Sequence, residues 1–499
     1  VAKLYFAFFS FLCCSVLLGN NIQIHDLRVN HESGNPGYAL LTFDLNWENS
    51  WRTSTAPGNW DAAWVFAKYR VGADGEWQHI VLTEDTPAPT GATVDVMDGT
   101  GAMVYAAGET AGPASFAQTK LRWNLAANGV EWIEDLEFRV FGVEMVYVPE
   151  GAFWLGSPDK GRETDKFYAA GDKKDRPAYY VASADEIAVG DQAGMLYYDD
   201  KAGNGADFAG PIPAAFPKGY GAFYAMKYEL SQKQYVDFFN TLTPVQKLVH
   251  DVTGATGKNT DAVDSRNCIT YDHLTGGDAT TTAPHVPVGH VSISDMMAYL
   301  DWAGLRPMTE MEFEKLCRGP QDPVKAEFAW GTDDVAKWKF EPEALNSSGE
   351  LLVNLNKLKD DSGYAGYEKT TKPTKYGTGP LRSGIFSASL GSETTRVWSG
   401  AGYYGNMELS GNQAEGVISV THADGRGFTN RHGNGVLPET GFADVPTWPL
   451  TQQGFGIKGG HNGSKEDALQ VADRTTTTLT DTDQYTRHYY LQFRGVRGL

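Results

Sequence analysis

Among the side chains able to do chemistry, cysteine is scarce and histidine is scattered: the chain holds 4 cysteines and 11 histidines in 499 residues. Cys13 and Cys14 stand in an apolar N-terminal run, which leaves Cys268 and Cys317 for the folded body. Two cysteines make no disulfide framework. They form either one bridge in an oxidising compartment or two buried thiols, and Cys317 sits in an apolar helix pattern that suits the second. His285 and His290 share a loop-like stretch, but without a third ligand at metal spacing they read as structural. No Gly-x-Ser-x-Gly elbow, phosphate loop or His-Glu-x-x-His site is present. Trp47, Trp51 and Trp60 offer a flat ligand platform on one reading and core filling on the other, which is the commoner use of such rings in small sandwiches.

The elements that must position these residues fall into two parts. Residues 1–20 combine Lys3 with the apolar run 4–19 and read as a secretory signal peptide, cleaved near Gly19 or Asn20. From residue 21 to 142 apolar and polar residues alternate with period two, as in Leu41-Thr42-Phe43-Asp44-Leu45, and this predicts an antiparallel β-sandwich of immunoglobulin or fibronectin kind. Residues 143–499 mix short helices with loops. Ser231 with Gln234, Thr243 with Gln246 and Thr309 with Glu312 have the spacing of capping boxes, and a fourth helix is predicted from Asp295 to Ala303, ended by Gly304. The Gly/Thr/Ser/Asp-rich stretches 254–259, 276–282, 360–379 and 475–482 are expected at the surface. With 42 Lys+Arg against 62 Asp+Glu the net charge is −20, and no dense basic run exists, which argues against nucleic acid or an anionic membrane as partner. After removal of the leader no transmembrane span remains to be expected.

The run from Pro287 to Gly319, with Ser292-Ile-Ser-Asp295, Trp302-Ala-Gly304-Leu-Arg306-Pro307-Met-Thr309-Glu310-Met-Glu312-Phe313 and then Phe328-Ala-Trp330-Gly331, resembles the central signature of the formylglycine-generating-enzyme (sulfatase-modifying factor) family. Other motifs stand in the family's order around it. These are Glu144 to Ser157, Met226-Lys-Tyr228-Glu229-Leu-Ser231, Gly405 to Glu415, Lys458-Gly-Gly-His461, Ala472-Asp-Arg474 and Phe493-Arg-Gly-Val-Arg497. The resemblance implies the family's α+β, C-type-lectin-like fold over residues 143–499, fused to the all-β N-terminal sandwich.

What it implies about chemistry is narrower. The family's oxidases use two cysteine thiolates shortly before the arginine that Arg474 matches, and here those positions fall at about Glu466 and Val471. The histidine-rich iron domain of the related sulfoxide synthases has no counterpart. The resemblance therefore implies no catalytic residues, and carries over only a structural Ca²⁺ site: the side chain of Glu408, the carbonyls of Gly411 and Gln413, and the carboxylate of Glu415. Glu408 departs from the usual Asp or Asn, and Asn346 matches part of a second calcium loop. The expectation is a bacterial secreted or cell-surface protein, non-catalytic, acting as a binding or structural subunit through other surface proteins, self-association, or a glycan or peptide ligand. Two alternatives stand beside it. One is a C-type-lectin-like receptor diversified over Arg474 to Tyr490, the other an oxidoreductase of unrecognised type.

Overall fold

The computed structural model describes residues 21–499 except 33, 85–86, 134, 159–165, 172–175, 199–206, 208, 356–361, 478 and 480–482. The expected leader and its cleavage site lie outside the described residues. Among the described residues no helix is long and apolar enough to cross a membrane.

Four antiparallel strands, Gln23–His31, Tyr38–Arg52, Thr110–Asn124 and Leu82–Thr83, form the outer sheet in that spatial order. Period two along Tyr38–Arg52 sends Ala39, Leu41, Phe43, Leu45 and Trp47 inward. They meet Ala63, Val65, Ala67 and Tyr69 of the facing strand Asp61–Val71. The alternate residues of that strand, Ala62, Trp64 and Phe66, enter a second core shared with the C-terminal part. Trp64 Nε1 donates to the carbonyl of Ala303 at 2.7 Å, and Phe66 meets the edge of Trp302 at 5.0 Å. A strand covered on both faces needs no polar side, which explains the unbroken Trp64-Val65-Phe66-Ala67 run.

The strand Leu136–Val148 joins the two parts. It pairs with Asp61–Val71 from Val71↔Leu136 to Asp61↔Val146, and residues 145–148 pair on the other side with Phe223–Met226. Gly495–Gly498 and Arg306–Pro307 continue the sheet at one end, and Gly101–Ala106 and Ala92–Met97 at the other. Residue 142, where the composition changes, lies inside this strand of an eight-stranded sheet. At the same joint the buried Lys227 ammonium donates to Asp61 Oδ2 at 3.0 Å and Glu144 Oε2 at 3.2 Å, while Asp61 also accepts from Trp47 Nε1 and Ser50 Oγ. The three tryptophans are used here rather than as an open platform. Trp47 is core, Trp60 stacks on Tyr147 at 3.9 Å, and Trp51 lies half-buried against Gly405 with Lys227 4.8 Å above its ring.

The helices α1 (Gln232–Phe239), α2 (Pro244–His250) and α4 (Glu310–Arg318) carry the three predicted capping boxes. Helix α3 spans Ile293–Trp302 and starts before the expected Asp295, because Ser292 is its N-cap and Asp295 closes a fourth box from the N3 position. One surface expectation fails: residues 362–367 are buried, with Tyr364 and Tyr367 filling two small cores, so aromatic burial outweighs the Gly- and Ser-rich flanks.

Candidate functional site

The residues of the expected calcium loop come together with one that the resemblance had not placed there. Glu408, Gly411 and Asn412 all take positive φ, at 56°, 90° and 66°, and this turns the chain tightly before Glu415 enters the strand Ala414–Ile418. Only glycine fits at 411, since a Cβ there would lie 2.6 Å from the carbonyl of Gly366. Behind the loop stands Glu229, fully buried just before α1. Its Oε1 accepts from the Gln413 N–H at 2.8 Å and its Oε2 from Asn412 Nδ2 at 2.6 Å. Glu408 Oε1 accepts from the Gly384 N–H at 2.7 Å, and Glu415 Oε1 is held by Arg494 at 2.6 Å from Nη2 and 3.1 Å from Nε.

Three buried carboxylates thus share one region with Arg494 and Arg382. Burial pushes Glu229 well above the usual carboxylate range, and the charges of Glu408 and Glu415 push it further. Burial lifts Glu408 to about 7 against the pull of the Gly384 N–H, Arg494 and Arg382, and it lifts Glu415 against Arg494. The second oxygens, Glu408 Oε2 and Glu415 Oε2, and the amide oxygen Gln413 Oε1 are buried without a hydrogen-bond partner. Buried oxygens of that kind cost free energy unless a proton or cation meets them. All are hard donors, the set that Ca²⁺ takes. The three carboxylates do not converge within 4.8 Å of one another, as a tripod of side chains would, so main-chain oxygens such as those of Gly411 and Gln413 are needed to complete a shell. Glu408, Glu415, Gly411 and Gln413 thus supply oxygen donors of the kind calcium takes, and Glu229 fixes the loop that carries them.

Elsewhere the predicted residues separate. Asn346 Oδ1 accepts from Arg266 Nη2 at 2.8 Å, and the same guanidinium forks onto Glu350 at 3.0 and 2.6 Å, so at the second loop an arginine takes up the oxygens. Glu466 sits on a surface turn near Lys337 and Lys369, at 3.6 and 3.7 Å. Val471 is fully buried in the cluster that also holds Cys317. Cys317 and Cys268 are both free thiols, so no bridge joins them, and burial raises the pKa of each. Arg474 pairs with Glu310 at 2.7 Å and lies 3.9 Å over the Phe167 ring. His290 Nε2 stands 3.4 Å from Asp264 Oδ2, and neither His285 nor His290 belongs to a ligand cluster. Among the described residues the one cluster of that type is His25, Asp26 and Asp44, on the outer sheet with His25 and Asp26 exposed. In the segment 474–490, Arg487 is tied to Asp295 at 2.7 and 2.9 Å, whereas Tyr485 and Tyr489 are exposed.

Glu229 carried no spacing signal of its own. Its partners lie more than 150 positions downstream, and the signal available was its place beside the Ser231 cap.

Residues 135–486 match the sulfatase-modifying factor enzyme 1-like domain, and the chain belongs to that family. Its fold is accordingly the family's α+β, C-type-lectin-like arrangement, preceded by all-β sheets. A formylglycine-generating enzyme from Thermomonospora curvata is 44% identical over 57 residues, a stretch covering 11% of this chain and only 18% of that enzyme. The structure of PvdO from Pseudomonas aeruginosa is similar over 72% of this chain and 95% of PvdO, at 18% identity and a TM-score of 0.30.

Proposed function

We propose that this chain is an exported, non-catalytic member of its family, a surface or extracellular binding or structural subunit on a scaffold stabilised by calcium. The observation that carries the reading is the pair Glu466 and Val471 where the oxidases' thiolates are expected. One is a surface acid and the other a core aliphatic with its N–H bonded to the Glu327 carbonyl at 2.9 Å. Neither is a soft-metal ligand, and Cys317, in the same core as Val471, is a buried thiol rather than a thiolate. A scaffold that keeps its framework contacts without these thiols serves by presenting its surface.

The test is a copper titration of the whole chain, with oxygen uptake followed in the presence of a thiol substrate. The expected result is no stoichiometric copper and no uptake above buffer. Tight copper with steady uptake overturns the reading. Sedimentation and electron microscopy with and without chelator then distinguish an assembling subunit from a dispersed binder.

A further inference from the structure

A cavity of about 580 Å³ lies away from the carboxylate cluster, between the start of α3 and the loops around residues 424, 442–450 and 485. Its walls are aromatic, from Phe442, Trp448, Phe455 and Tyr485, with Met297 of α3 beneath them. Two carboxylates, Asp424 and Asp444, stand in it, and no Lys, Arg or His is among its lining residues. Asp424 Oδ2 is occupied by the N–H and hydroxyl of Thr451, at 3.0 and 2.6 Å. The Asp444 side chain is exposed, and no ion pair involves either carboxylate among the described residues.

The rings are fixed from behind. Trp448 Nε1 donates to the carbonyl of Arg431 at 3.0 Å, and Phe442 lies 5.4 Å from Tyr485. Thr447, immediately before Trp448, has φ of 75°, a conformation that a β-branched residue adopts only when its surroundings impose it. Its hydroxyl shares a 2.6 Å hydrogen bond with that of Thr429. Such positions concentrate where a site must be held in one shape.

We propose that this cavity binds a small organic cation with an aliphatic body, of the alkylamine or polyamine class. Indole and phenol faces attract an ammonium group through their ring quadrupoles, and hydrocarbon lies well against the same rings. The carboxylates supply the counter-charge, and among the described residues no side-chain cation pairs with them. The volume lies in the range of small-molecule sites, and a net charge of −20 concentrates cations near the surface.

Spermidine and butylamine titrated into the whole chain by calorimetry at physiological salt test the assignment, with 1-butanol as the uncharged analogue. Saturable one-site amine binding is expected, without binding of the alcohol. Asp444→Asn and Tyr485→Ala should each weaken it by about tenfold, a loss of about 1.4 kcal/mol. Glu343→Gln, an exposed acid outside the cavity, should leave it within about twofold. Equal weakening by Asp444→Asn and Glu343→Gln would show diffuse attraction to an acidic surface and overturn the site. So would an absence of saturable amine binding, or butanol binding as tight as butylamine.

Discussion

Glu408 is a longer acid than the family pattern supplies at its position, and with Glu415 it leaves two buried oxygens unpartnered. If a cation meets them, removing one carboxylate removes more than a charge. Calcium at a hundredfold excess over its Kd should stabilise the wild-type chain by about 2.7 kcal/mol. Glu415→Gln and Glu408→Gln should abolish most of that gain, read as the shift in melting temperature between calcium and chelator. An unchanged shift in both variants sinks the calcium assignment. A second residue-scale prediction concerns Lys68, buried beside Trp302 with its ammonium donating to the Gly435 carbonyl at 2.6 Å. Burial pulls its pKa down to about 7, against the opposing charge of Asp301. Between that value and the ordinary value near 10.4, the unfolded chain holds a proton that the folded chain does not. Stability therefore rises with pH across this window, and the contribution is lost as pH falls through about 7. Chemical denaturation between pH 7 and 10 should show that slope, and Lys68→Met should flatten it.

At the scale of elements, α3 has the most depending on one side chain. Asp295 caps the helix through Ser292, accepts from His250 Nδ1 at 2.9 Å and holds Arg487. Burial opposes its ionisation, yet Arg487 and His250 hold its carboxyl well below the usual range. Ser292→Ala should cost about 1 kcal/mol, the usual loss of an N-cap. Asp295→Ala leaves Arg487 and His250 without their buried partner and should cost about 3–5 kcal/mol. Comparable losses from the two variants in denaturation would show that Asp295 acts only as a cap. Three helix starts were legible because a hydroxyl and a Glu or Gln three residues on state the cap locally. The start of α3 was missed because its returning residue is an Asp, which reads equally as a helix beginning. Residues 362–367 were misjudged for a related reason: Tyr364 and Tyr367 are buried by partners distant in sequence, and no local period records that.

For the whole molecule, the β-rich and mixed parts were legible from their different periodicities, but their union was not. Nothing local in Trp64-Val65-Phe66-Ala67 says that the second face meets Trp302 and Ala303, well over 200 residues away. Because Leu136–Val148 is paired on both sides, the whole chain should melt in one cooperative transition by calorimetry. A chain beginning at residue 143 loses the strand that pairs with residues 143–146, and with it the Trp64 and Phe66 rings packed on Ala303 and Trp302, and should be insoluble or loosely packed. Two well-separated transitions, or a soluble and cooperatively folding 143–499 fragment, would argue for independent modules. The shared strand also has a mechanical meaning. A load on Asp61–Val71 passes through its paired strand Leu136–Val148 and the Lys227 joint into Phe223–Met226 and Gly495–Gly498, so pulling the two lobes apart has to shear a hydrogen-bonded sheet rather than stretch a tether.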